Sequence, residues 1–158
     1  MTPELAAYLK LQAAVSAALN FFVMGMVSGL IYHKADFVPT DPVSLGVDLG
    51  LTCLSAFMIS MPLTRAGLRR DKTGDVLEAT SPQSRFLARL FRRPLLFCLL
   101  FGFGTAALVF ALAAPLFALA GAFALPFYAY VALKSTFGAA LGAFVSTVLF
   151  YGGMCRVQ

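Results

Sequence analysis

Between Leu11 and Tyr32 the chain runs for 22 residues without a charged side chain. As an α-helix this stretch is about 33 Å long, enough to cross a hydrocarbon core of about 30 Å. Three further runs are nearly as apolar: 43–64, with Asp48 as its one charge, 94–114, with none, and 127–151, with Lys134 alone. Four such segments cannot be folded into a water-soluble core of this size. Only 12% of the 158 residues are charged and 60% are hydrophobic, with a mean hydropathy of +0.86. An ordinary globular surface uses about 25% charged residues. The surplus apolar surface implies a lipid environment. The expected fold is all-α: one transmembrane domain over 1–158, an integral membrane four-helix bundle laid out as two tandem hairpins.

The first helix should begin at Thr2-Pro3-Glu4, with a cap, a proline at the first helical position and an acid at the positive end of the dipole. The absence of a basic n-region argues against a signal peptide. Residues 33–42 (HKADFVPTDP) form a short polar connection. Pro62 sits near the end of the second span, where it would loosen the last turn. The uncharged stretch from Pro115 to Tyr130 must be a very short turn near Gly121 and Pro126, or be packed against protein. Tyr128 and Tyr130 suit an interface with the headgroups.

The polar segment is 65–93. It holds eight of the twelve Lys and Arg residues and three acids, with a turn expected at Lys72-Thr73-Gly74. Within it, Arg85, Arg89 and Arg92 recur at helical spacing, beside Arg93, with Phe86, Leu87, Leu90 and Phe91 on the other side. This reads as a short basic amphipathic helix before the third span. Lying at the interface, it would place its arginines on anionic lipid headgroups and its apolar side chains in the acyl boundary. The other reading is that it extends the third span. Nucleic acid is not an expected partner, because the bases lack interleaved aromatic residues. Loops rich in Lys and Arg stay in the cytoplasm. The expected location is therefore a bacterial inner membrane, with the central loop and both termini cytoplasmic.

Few residues can carry chemistry. There is one histidine, and Cys53, Cys98 and Cys155 lack metal or redox spacing. No cofactor, metal or catalytic residue is expected, and no nucleophile–base pair stands out. Asp48 is the only acid inside a span, and Lys134 lies at similar depth on the fourth. Asp48 reads either as a cation or proton site or as a shallow residue reaching the interface. Lys134 either pairs with Asp48 across the bundle or extends to the headgroups. With Asn20, Thr52, Ser55, Ser135 and Thr136 these two would line a substrate or ion path. Asn20 could instead hydrogen-bond a neighbouring helix. Gly25 and Gly29, Gly46 and Gly50, and Gly138 and Gly142 form three GxxxG pairs for close helix packing.

An offset of 86 to 87 residues places Asp48 on Lys134, Ala56-Phe57 on Ala143-Phe144 and Arg69 on Arg156, which reads either as a tandem repeat whose halves share one orientation or, since the offset drifts, as coincidence between apolar helices. The stretch from Phe57 to Arg65 (FMISMPLTR), with Asn20, Gly25 and Ser28-Gly29, resembles small uncharacterised bacterial two-helix membrane proteins over about residues 14–70. The tandem-pair layout also resembles the proteobacterial antimicrobial-compound efflux family. That resemblance implies proton-coupled export of cationic drugs through an intramembrane Glu of the first span, with Trp and Asn markers. This chain has no Trp and no Glu in its first span, so no site is carried over. The expected function is a small transporter or channel acting as a homo-oligomer. The alternative is a non-catalytic accessory or assembly subunit bound to a membrane partner protein.

Overall fold

A computed structural model describes residues 3–71, 77–78, 81–119, 121 and 124–156. Helices α1 (Pro3–Tyr32), α2 (Pro42–Arg70), α4 (Pro94–Leu119) and α5 (Phe127–Met154) are long and apolar enough to cross a membrane. A short α3 (Pro82–Phe91) precedes α4. Among the described residues there are also four two- or three-residue strands: β1 (Phe37–Pro39), β2 (Leu77–Glu78), β3 (Ala124–Pro126) and β4 (Cys155–Arg156). The Lys72-Thr73-Gly74 turn and Thr2 lie outside the described residues.

The long helices form a four-helix bundle with α2 and α5 at its centre. α1 lies along α5, and α4 lies along α2. The core gathers Phe57 and Met61 of α2, Phe97 of α4, and Leu141, Val145 and Leu149 of α5. Large apolar side chains such as Leu19, Phe22, Leu30, Phe103 and Leu112 point outward on α1 and α4. Monomeric soluble proteins rarely expose contiguous apolar patches beyond a few hundred Å².

α2 and α4 run well past the expected ends of their spans. α2 continues from Thr64 to Arg70, because Leu68 is buried against Leu9, Phe150 and Met154. Arg65, expected in the loop, is helical: it donates to the Phe91 carbonyl (2.5 Å) and its guanidinium lies over the Phe91 ring. α4 continues through Pro115 to Leu119. Remaining helical keeps most of the backbone of this uncharged stretch satisfied.

The connections before α2 and α5 meet as an antiparallel pair, Phe37 opposite Pro126, Val38 opposite Leu125 and Pro39 opposite Ala124. Asp41 then caps α2, its Oδ1 accepting the N–H groups of Val43 (3.1 Å) and Ser44 (3.2 Å). The Ser44 hydroxyl, followed by these backbone donors, holds the Asp41 carboxyl below its ordinary value. A depressed carboxylate stabilises above its unfolded pKa of about 3.9 and loses that contribution as pH falls through the folded value. Acidification below about pH 4 should therefore fray the start of α2, and Asp41→Asn should flatten this dependence. Hydrogen exchange at Leu45, whose N–H bonds to the Asp41 carbonyl, would report it.

α3 begins with a reciprocal cap: Ser81 Oγ accepts the Ser84 N–H and Ser84 Oγ accepts the Ser81 N–H, both at 3.1 Å. It ends at Arg92-Arg93, so it is a separate helix and not a continuous extension of α4. Arg85, Arg89, Arg92 and Arg93 are exposed. The expectation that its apolar side enters lipid needs correction. Leu90 is buried in the core, and Leu87 and Phe91 pack beside it. Gly153 is one cause: the Phe91 ring of α3 and Leu68 of α2 fill the space its missing side chain leaves on α5, while Leu87 lies in ordinary contact with Gly152. Phe86 alone of the four is exposed.

Candidate functional site

Asp48 lies in the second turn of α2 and Lys134 in the second turn of α5. The β1–β3 pair sets the starts of the two helices level, so both charges arrive at the same depth between the two central helices. They form an ion pair, Lys134 Nζ to Asp48 Oδ2. Lys134 Nζ also donates to Thr52 Oγ1 at 2.8 Å and approaches the Asp48 carbonyl at 3.5 Å. Thr52 Oγ1 in turn donates to that carbonyl at 2.7 Å. Tyr130 Oη donates to Asp48 Oδ2 at 2.6 Å, and its ring packs edge-on against Tyr32 of α1. The Lys134 side chain is 6% exposed and that of Asp48 31%.

Lys134 thus turns inward and does not reach for the headgroups. Its ammonium has three acceptors within 3.5 Å, two of them on Asp48. Asp48, 31% exposed, ties α2 to α5 near the start of both helices. Tyr130, expected at the headgroups, is instead buried and completes the cluster. Its position four residues before Lys134, on the same helix face, was the available signal.

The other expected path residues do not converge on this pair. Ser55 Oγ donates to the Thr52 carbonyl of its own helix (3.1 Å). Ser135 is buried against α1, facing Gly25. Thr136 is exposed and donates to the Ala132 carbonyl (2.9 Å). Asn20 bonds within α1, its amide donating to the Ser16 carbonyl at 2.9 Å, and not to a neighbouring helix. The reason is that backbone faces it across the interface. An added Cβ on Gly142 would lie 2.6 Å from Asn20 Nδ2 and 2.7 Å from the Ser16 carbonyl oxygen.

The glycine pairs divide in the same way. Gly25, Gly138 and Gly142 sit at the α1–α5 contact, and Gly46 faces the Phe110 ring of α4. A Cβ added to Gly29 or Gly50 would meet nothing within 4 Å, so these two are not packing residues within this chain. A close approach outside any GxxxG pair lies at Gly102, where an added Cβ would stand 3.3 Å from the Leu54 Cα.

The second feature is a groove. α1 and α2 follow each other in sequence but stand apart, with α5 as the floor between them. The groove has a volume of about 380 Å³ and is open along one side. Leu19, Asn20, Ser55, Ile59 and Ser60 are on its walls and Ser146 is on its floor. It spans the half of the bundle nearest the chain ends. A hydrogen bond from Tyr8 Oη to Asp71 Oδ2 (2.8 Å) ties α1 to α2 beyond it.

Comparison with protein families, curated proteins and solved structures finds no match. The fold and the exposed apolar helices define a membrane protein of the all-α, four-helix-bundle class. Asp48 and Lys134 are paired with each other, and the α1–α2 groove opens sideways.

Proposed function

We propose that this chain is a non-catalytic accessory or assembly subunit of a membrane complex, holding a membrane-embedded apolar segment in the α1–α2 groove. The observation that carries this reading is the lateral opening of the groove. A cleft that faces sideways between two membrane helices is filled from within the bilayer, by a neighbouring helix or a second copy. Small side chains on its walls permit close approach of such a helix. The basic loop supports an orientation with the groove in the cytoplasmic half of a bacterial inner membrane, by the charge rule for polytopic chains. The exposed arginines of α3 would then rest against anionic headgroups, each contributing about 1 kcal/mol.

Filling the groove tests this. Wild-type protein extracted in mild detergent should run as an assembly larger than the single chain. Ser60→Phe should release it to single-chain size, while Leu112→Phe, on the outer face of α4, should leave the assembly intact. A wild-type chain that already runs alone, or an assembly indifferent to Ser60→Phe, would refute the proposal.

A second reading, transport of a small molecule or ion by a homo-oligomer, rests on one observation. Asp48 keeps nearly a third of its side chain exposed, and its Oδ1 has no hydrogen bond among the described residues. On that reading Asp48 is the coupling carboxylate, and Lys134 releases it when a cation or proton binds.

A further inference from the structure

Three contacts between the halves of the chain join residues 86 or 87 apart. Val38 pairs with Leu125 at the centre of the β1–β3 ladder. Asp48 pairs with Lys134. The Phe57 ring meets the Phe144 ring edge-on, with centroids 6.4 Å apart. These are the offsets at which the two hairpins align as a repeat. Each contact is therefore made between a position and its own counterpart. A residue touches its own counterpart only on or beside a two-fold axis.

Contacts away from the axis obey the same exchange. Swapping the hairpins maps the α1–α5 contact onto α4–α2, the other long flanking contact of the bundle. In detail, Gly102 of α4 against Leu54 of α2 corresponds within one residue to Ser16 of α1 against Gly142 of α5. Gly46 against Phe110 corresponds within two residues to Ser135 against Gly25. Antiparallel strand pairing at equivalent residues and in-register α2–α5 packing are the geometry of a symmetric dimer.

We infer that the α2–α5 face is the self-association surface of one hairpin unit, and that the chain is a covalently joined dimer of such units. Its on-axis Asp48 and Lys134 determine which unit pairs with which. Two identical hairpins would place two carboxylates, or two ammonium groups, against each other at this point. Opposite charges make the pairing heterotypic, so each hairpin accepts the other and rejects a copy of itself. This is the use of a buried polar position best attested for fixing register and partner. The exchange also gives the α1–α2 groove a counterpart. That counterpart, between α4 and α5, is occupied by the Phe97–Phe101 stack (4.6 Å), with Phe57 alongside.

The test uses the full chain with its three cysteines replaced by alanine, and with Val38→Cys and Leu125→Cys as reporters. Opposed antiparallel residues lie about 4.5 to 5.5 Å apart at Cα, within the range a disulfide spans. Oxidation in membranes should cross-link this chain efficiently. Asp48→Lys alone and Lys134→Asp alone should lower the yield several-fold. The exchange Asp48→Lys with Lys134→Asp should restore it, because equivalent positions can trade charges. The Tyr130 and Thr52 hydroxyls can each donate or accept and so serve either arrangement. A second variant reverses hairpin order, joining the end of α5 to the start of α1, which already pack together through Phe150, Met154 and Leu9. It should give the same cross-link. If the neutral pair Asp48→Leu with Lys134→Met cross-links but the charge exchange does not, the positions are not equivalent and the inference fails. Loss of the cross-link on reversing the hairpins would overturn it as well.

Discussion

Asp48→Ala should destabilise the protein by about 3 to 5 kcal/mol, the cost of stranding one member of a buried ion pair. The substitution leaves the Lys134 ammonium, 6% exposed, with only Thr52 Oγ1 and a backbone carbonyl for company. Lys134→Ala should cost less. The carboxylate it leaves behind is 31% exposed and keeps the Tyr130 hydroxyl. Removing both charges, as Asp48→Leu with Lys134→Met, should come close to neutral, since well-packed apolar replacements of buried pairs often do. Reversible unfolding in detergent micelles gives all three values. Equal losses for the two alanine variants, or a double variant as damaged as either, would show that the pair is not a closed unit.

The second large effect is at the α1–α5 contact. Gly142→Ala should cost about 1 to 3 kcal/mol, the usual range for overpacking a tight site. The new Cβ would fall 2.7 Å from the Ser16 carbonyl oxygen, which belongs to the backbone and cannot turn aside. Gly138→Ala meets the Asn20 carbonyl at 2.9 Å and should behave alike. Gly29→Ala and Gly50→Ala meet nothing within 4 Å. Relieved of the helix penalty of glycine, they should gain up to about 1 kcal/mol. The same unfolding experiment separates the two classes. A loss at Gly29 or Gly50 in the intact assembly, but not in the isolated chain, would assign those faces to contacts with another molecule.

The four spans were legible because charge is so sparse: Leu11–Tyr32 has no other way to satisfy both its backbone and its side chains. Where the helices end was less legible. α2 passes Thr64 because Leu68 finds Phe150 and Met154, a contact between residues some eighty positions apart. The similar depth of Asp48 and Lys134 could be read from their distances to Pro42 and Pro126. That Lys134 turns inward could not, because it depends on Thr52 and Tyr130 standing ready to complete its surroundings. Ser135 and Thr136 look equivalent in sequence, yet one step along a helix turns the side chain by about 100°, from the α1 interface to the outside. The groove was invisible for a further reason. It exists because α1 packs on α5 and leaves its sequence neighbour α2, a choice made by Gly138 and Gly142.

On the accessory-subunit proposal the region between α2 and α5 is a closed contact, and Cys53 reports on it without disturbing the charges. It follows Thr52 directly, is fully buried, and packs with Ala56, Phe57 and Val145. With Cys98 and Cys155 replaced by alanine, a water-soluble alkylating reagent applied to sealed vesicles should modify Cys53 only as fast as the bundle unfolds. Rapid modification from either side, with the bundle intact, would overturn the closed contact and make Asp48 the mouth of a conducting path.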